Sequence, residues 1–407
     1  MMNEQKPTVY AGVDTHMDVH VAAVVDQTGR LLRTRSFPTT PLGLRALARW
    51  ITRFGAVAKI GVEGTGSYGL GLLRVLQESG HIVIEVNRPN RQMRRSRGKS
   101  DTVDAEAAAR AVLAGNATIT PKTHDGVVEG MRVLRIVKST TRTHMTALQA
   151  QIRHLVVTAP ELLRVDLESM SAKERVTRAA AYRPGTDITD VTTATKTALR
   201  ALARQWLALE TDFKTLSDQL QELTEQANPT LLGLPGVGPD TAAALLIAAG
   251  DNPARLRSSA AFAALCGVSP IEVSSGKTQG RRLNRGGNRQ ANSALYRIVV
   301  VRMSHKHPAT IAYLEKKTQE GKSKRHTIRC LKRYVAREVF QALKNPQPSI
   351  NRDELRQRRL GMQLPLRAVA EQFDRPINAI ARLETGKVHD PELAAKYDQW
   401  LTKQEVA

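Results

Sequence analysis

Three β-rich runs follow one another at the start of the chain with no helical pattern between them. Residues 8–14 read as a buried strand ending in an acid, residues 19–25 as a second strand and residues 31–37 as a third. Gln27-Thr28-Gly29-Arg30 supplies turn chemistry before the third run. Consecutive strands of this kind pair as an antiparallel meander. The pattern then alternates: a helix over residues 42–54, a strand over 59–63, a helix over 70–77 and a strand over 82–86. A meander followed by strand–helix alternation implies a mixed sheet covered by helices, so the expected class of a first domain, residues 1–126, is α/β.

Residues 127–228 read as helical. Leu199, Leu202, Trp206, Leu209, Phe213, Leu216, Leu220 and Leu223 recur at alternating steps of three and four, the a/d seam of a left-handed coiled coil. That seam suits a helix of an intramolecular hairpin and an oligomerisation helix equally. Leu234-Pro235-Gly236-Val237-Gly238-Pro239 opens a third segment, residues 229–345, as two helices joined by a Gly-Val-Gly turn. It is similar to the helix-hairpin-helix of DNA-binding proteins, whose turn amides face a phosphate. Asn345-Pro346-Gln347-Pro348 reads as a linker. Residues 350–407 beyond it look like a small helical module of the helix-turn-helix kind, with a second helix over residues 377–384 and Asn378 and Arg382 on its polar face.

Lys and Arg number 61 against 38 Asp and Glu, a formal net charge of +23. Such a surplus makes a polyanion the expected partner. The segment from Lys277 to Asn345 alone holds 18 Lys and Arg against 3 acids. There Lys277, Arg281, Arg282, Arg285 and Arg289 are interleaved with glycines, which lets backbone and guanidinium groups approach phosphates together. Two cysteines in 407 residues exclude a disulfide framework and suggest a reducing, cytoplasmic setting. No apolar run approaches a membrane span, and the first residues have no signal-peptide core. His305, His307, His326 and Cys330 fit no common zinc spacing.

Acids gather where chemistry is expected. Asp14 and Glu63 each end a predicted strand, a position from which carboxylates are otherwise depleted. Asp101 and Asp104 stand three apart at a helix start behind Ser100, on one face. First-turn acids also suit the helix dipole, which is a sufficient reason for that pair alone. Four carboxylates on two strand ends and one helix face meet the needs of a site for Mg²⁺, whose hard oxygen ligands leave room for substrate phosphate. Two such ions roughly 3.5–4 Å apart stabilise both the attacking and the leaving oxygen of a phosphodiester. Arg94, Arg95, Arg97 and Lys99 lie just upstream and would hold a nucleic-acid backbone; His16, Asp18 and Glu106 are weaker alternatives for the acidic site.

Gly12-Val13-Asp14-Thr15-His16, Val62-Glu63-Gly64-Thr65-Gly66-Ser67-Tyr68 and Lys99-Ser100-Asp101-Thr102-Val103-Asp104-Ala105 resemble the DEDD transposases. These are insertion-sequence recombinases with a RuvC-like N-terminal domain of the RNase H superfamily, related to the Piv-type invertases. Residues 234–242, Phe262 to Pro270, and Ser275-Gly276-Lys277 followed by Arg285-Gly286-Gly287-Asn288 resemble the C-terminal transposase domain of the same family. The likeness runs over about residues 8–345 in one order. It implies a RuvC-like fold, Mg²⁺ dependence, a tetramer assembled from dimers, and an element-encoded structured RNA that pairs with donor and target DNA. It also implies a serine acting with the acidic site; the family serine precedes a glycine, which here is Ser275 rather than its neighbour Ser274.

The expected activity is therefore that of a DNA recombinase of an insertion sequence, with Asp14, Glu63, Asp101 and Asp104 as metal ligands and Ser275 as nucleophile. A hydrolytic RuvC-like junction nuclease without a covalent step is the alternative enzyme. A non-catalytic DNA-binding regulator using residues 350–407 is the alternative from another class.

Overall fold

In the computed structural model of the chain, residues 6–86, 100–276, 278–346, 350, 352–386, 388 and 390–406 are described. Arg94, Arg95, Arg97, Lys99 and Lys277 lie outside them. The chain divides into two compact units, residues 1–124 with 252–255, and residues 125–251 with 256–407.

The first unit is built on a five-stranded sheet in the order β3-β2-β1-β4-β5. Strands β1 (Thr8–Thr15), β2 (Val19–Asp26) and β3 (Leu31–Pro38) form the antiparallel meander. Strands β4 (Ala56–Glu63) and β5 (Val83–Val86) join it in parallel, β4 beside β1. A parallel neighbour needs a crossover, which α1 (Pro41–Ile51) supplies between β3 and β4 and α2 (Leu70–Glu78) between β4 and β5. Leu44, Leu47, Trp50 and Ile51 of α1 and Leu72, Leu73 and Leu76 of α2 bury against Val9, Ala11, Val13, Ile60 and Val62 on one side of the sheet. Helix α3 (Asp101–Leu113) covers other residues: Ala108 and Val112 pack with Ile84 and Val86. The first unit is thus a mixed sheet with flanking helices.

The second unit is mostly helical. Helices α4 (Val127–Val157) and α7 (Val191–Ala227) pack antiparallel along each other, joined through α5 (Glu161–Glu168) and α6 (Ala172–Ala180). Their far ends enclose a core of Met145, Ile152, Leu163, Leu167, Val176, Leu199 and Trp206. Their near ends, with Met131 and Leu220, enter a separate core. The seam on α7 is therefore covered within the chain at Leu199, Trp206 and Leu220, while Leu202, Leu209, Phe213, Leu216 and Leu223 are only partly buried.

That separate core is organised by α8 (Pro229–Gly233), α9 (Pro239–Ala249), α10 (Ser259–Leu265), α11 (Arg289–Ser304), α12 (Pro308–Gln319) and α13 (Lys324–Lys344). Helix α9 is apolar all round and accordingly buried from Ala242 to Leu246. Between α10 and α11 the chain forms a short hairpin of β6 (Ile271–Glu272) and β7 (Arg281–Arg282).

Helices α14 (Arg352–Gly361), α15 (Leu366–Gln372), α16 (Ile377–Glu384) and α17 (Pro391–Val406) enclose their own core around Leu355, Val369, Ile380, Leu383, Tyr397 and Leu401. Glu384 is buried there, paired with Arg359 through two bonds of 2.7 and 2.9 Å and accepting the Tyr397 hydroxyl at 2.9 Å. Satisfying the carboxylate on both oxygens is what makes a buried charge tolerable. Among the described residues no helix is long and apolar enough to cross a membrane.

Candidate active site and nucleic-acid interface

Strands β1 and β4 run in parallel with Gly12 opposite Gly61 and Val13 opposite Val62. Side chains alternate along a strand, so Gly12 and Asp14 share one face of the sheet with Gly61 and Glu63. The two glycines let a helix lie directly on that face. A methyl group on Gly12 would collide with the Ala105 carbonyl and the Ala109 amide of α3, and one on Gly61 with Val112 and the Ala108 carbonyl. Asp14 and Glu63, two residues further along, stand at neighbouring strand ends, and the Thr15 hydroxyl ties the strands by donating to the Glu63 carbonyl at 2.7 Å.

The N-terminus of α3 brings two more carboxylates to Asp14. Ser100 caps the helix, its hydroxyl accepting from the Val103 amide at 3.4 Å. Asp104 is buried and Asp101 is exposed. His16, just beyond the end of β1, places Nε2 3.1 Å from Asp14 Oδ2 and 3.4 Å from Asp101 Oδ1. One ligand atom from each of Asp14, His16 and Asp101 lies within 4.8 Å of the others. Asp104 and Glu63 are not part of that trio, and Glu106 is buried against Arg110 at 2.7 Å. The sequence signal for His16 is its position two residues after a strand-terminal aspartate.

Charge is crowded in the cluster. Burial raises the Asp14 carboxyl above the ordinary aspartate range, Asp104 and Asp101 push it further up, and His16 opposes them. Like charges crowded at a strand end are relieved by a cation with several positive charges, and the oxygen-rich donor set suits a hard divalent ion. Asp14→Asn should therefore stabilise the metal-free protein at neutral pH and raise its Tm. The sign follows from a raised folded-state pKa. The wild-type penalty is full above that pKa and disappears below the ordinary aspartate value, where both states are protonated. Differential scanning calorimetry across pH checks this, and added divalent cation should stabilise the wild type but not the variant.

Ser275 lies at the tip of the β6–β7 hairpin. Its amide and carbonyl each bond Thr278 at 3.0 Å, and Gly276 takes φ +55°, a left-handed value that glycine adopts without strain. The neighbouring serines differ. Ser274 Oγ donates to Glu272 Oε1 at 3.0 Å, whereas Ser275 is exposed and its hydroxyl has no partner among the described residues. Cys266 is buried, which pushes its thiol up to about 12. Arg281, Arg282, Arg285 and Arg289 are all exposed around this hairpin, as are Asn378 and Arg382 on α16. Gly287 serves packing: a methyl group there would strike the Gly267 backbone. A second basic feature of this unit is a groove of about 800 Å³ lined by Arg132, Arg135, Lys138, Arg142 and Arg297. Burial lowers the Arg135 pKa there, and Lys138 is held by Asp240 at 2.8 Å.

Two family profiles match the chain in order. The family described as "Transposase", of the DEDD and IS110 type, matches residues 11–159, and the "Transposase IS116/IS110/IS902 family" matches residues 228–315. Together they cover more than half of the chain. The chain belongs to the IS110 family of transposases. A relative from Streptomyces coelicolor, described as "Insertion element IS110 uncharacterized 43.6 kDa protein", is 30% identical over 165 residues. That match covers 40% of this IS110-family chain and 39% of the length of the relative. The first profile contains Asp14, Glu63, Asp101 and Asp104, and the second contains Ser275.

Proposed function

We propose that the chain is the DNA transposase of an insertion sequence, cutting and rejoining DNA with a Mg²⁺-dependent acidic site and a serine nucleophile. The observation that carries this reading is the convergence of Asp14, His16 and Asp101 at the end of a mixed sheet in a chain with two transposase profiles. The sheet order, an antiparallel meander extended by parallel strands, supports an RNase H-like assignment of the first unit. Asp14, Glu63, Asp101 and Asp104 would hold Mg²⁺. When bound, it would stabilise negative charge on phosphodiester oxygens. His16, hydrogen-bonded to Asp14, orients that carboxylate. Ser275 Oγ attacks phosphorus: a P–Oγ bond forms, a P–O bond to the sugar breaks, and the sugar oxygen leaves as a protonated hydroxyl. The reverse sequence on a second end restores the DNA backbone.

The same reading assigns an element-encoded RNA as guide and a tetramer as the working assembly. The α8–α9 turn would contact phosphates as a helix-hairpin-helix. Helix α16, with Asn378 and Arg382 exposed, would enter a major groove. The partly buried stretch of the α7 seam leaves apolar surface for a partner helix. Net charge of +23 supports the polyanion partners. RNA copied from the element should bind at least about tenfold more tightly than a scrambled RNA of equal length. Both affinities should fall steeply with salt, with a log–log slope of about −0.7 to −0.9 per neutralised phosphate. Filter binding over a salt series checks this; equal affinity for the scramble, or recombination after RNase treatment, would remove the guide from the account.

A further inference from the structure

A cavity of about 530 Å³ opens between β7 with the residues after it, the turn at residues 267–270, and the facing sides of α12 and α13. Its charge is one-sided. Arg281, Arg282, Arg329, Lys332, Arg333 and Arg337 line it, and among the described residues no carboxylate does. One guanidinium nitrogen of Arg333, Nη1, is buried with no hydrogen-bond partner among the described residues. Lys332 is held by Asn292 Oδ1 at 2.8 Å, and burial followed by the charge of Arg329 lowers its pKa. Uncompensated cations in a concave site raise its potential and leave donors unsatisfied, and an anion relieves both.

Charge alone would suit any anion. The aromatic wall narrows the choice. Tyr313 and Tyr334 meet edge to face with centroids 5.3 Å apart, and Tyr334 remains half exposed beside the arginines. A flat aromatic surface next to a guanidinium cluster matches a base joined to a phosphate, because the base stacks while the phosphate takes charge-assisted bonds. The volume falls within the range of small-molecule sites, about 300–1,000 Å³. A paired, stacked base cannot enter such a cavity, so the strand must present the base splayed out.

We propose that this cavity takes one unpaired nucleotide of a nucleic-acid strand, the base stacked on Tyr334 and the phosphate on the arginine rim. The inference rests on the nucleic-acid reading above and deepens it. Arg281 and Arg282 belong to the hairpin that carries Ser275, so an occupant of the cavity contacts the strand that leads away from the serine tip.

The test uses the full chain and single-stranded oligonucleotides containing 2-aminopurine, in deoxyribose and ribose versions, with a blunt DNA duplex as control. Wild-type protein should change the 2-aminopurine fluorescence on binding. Tyr334→Ala should abolish that change and weaken single-strand binding roughly five- to hundredfold. It should leave duplex affinity within about twofold, and Tyr334→Phe should behave as wild type. Arg337→Gln, at a second exposed position, should also weaken the single strand more than the duplex. The tighter of the two sugar versions identifies the strand that occupies the cavity. Unchanged single-strand affinity and fluorescence in both Tyr334→Ala and Arg337→Gln, with duplex binding intact, would overturn the cavity while sparing the nucleic-acid reading. Binding of neither strand nor duplex by the wild type would overturn both. Displacement of the labelled strand by poly-glutamate at equal charge concentration would make the cavity a carboxylate site instead.

Discussion

Glu63→Gln should reduce strand cleavage by roughly a thousandfold or more while nucleic-acid affinity stays within about twofold. The stabilisation that a bound metal gives a phosphoryl oxygen is worth several kcal/mol, and each 1.4 kcal/mol is about tenfold in rate. Glutamine keeps the shape of the side chain and the Thr15 bond to the Glu63 backbone, so β1 and β4 stay tied. The basic surfaces around the hairpin and along α4 lie on other elements and keep their charge. Asp101→Asn should behave alike, because it removes one member of the trio at an exposed position where folding does not depend on it. Gel assays of cleavage and fluorescence anisotropy on the same preparations separate the two quantities. Full recombination by either variant in Mg²⁺ would sink the acidic site.

Ser275→Ala should bind nucleic acid as the wild type does, yet form no covalent DNA adduct and no recombinant, a loss of at least about ten-thousandfold. The hairpin should be undisturbed, since Ser275 contributes only its amide and carbonyl to the bonds with Thr278. Ser274→Ala is the control next door. It removes a hydroxyl bonded to Glu272 and should keep most activity. Ser275→Cys should retain a trace, because a thiolate is also nucleophilic. An inactive Ser274 variant beside an active Ser275 variant would move the nucleophile by one residue. Two active variants would leave hydrolysis by the acidic site as the reaction.

Much of the first unit was legible in the sequence because its signals are local. Alternating β-rich runs gave the strands, Gly29 gave a turn, and acids at strand ends stood out against the composition of strands. The parallel pairing of β1 with β4 was not legible. The parallel register of β1 and β4 depends on contacts about fifty residues apart, and only that register puts Asp14 and Glu63 on one face. Nothing in the local pattern marks the glycines at positions 12 and 61, although the approach of α3 depends on their lacking a side chain. The burial of Asp104 and exposure of Asp101 could not be read from a spacing of three, which says only that they are neighbours. In the second unit the α7 seam was legible as a period, but its intramolecular partner α4 lies upstream across two short helices. The hairpin around Ser275 shows in the sequence only as basic residues interleaved with glycines, since its paired segments are two residues each and too short to show a period.

In the proposed mechanism a single serine carries the DNA during recombination at a site that depends on the acids. Donor DNA bearing the element's end, incubated with protein and Mg²⁺, denatured and digested, tests it directly by mass spectrometry of the linked peptide. The expected result is a nucleotide joined through phosphate to Ser275 in the wild type, and none in Glu63→Gln or Ser275→Ala. Efficient strand cleavage by the wild type with no linked peptide, or a link at any other residue, would contradict it.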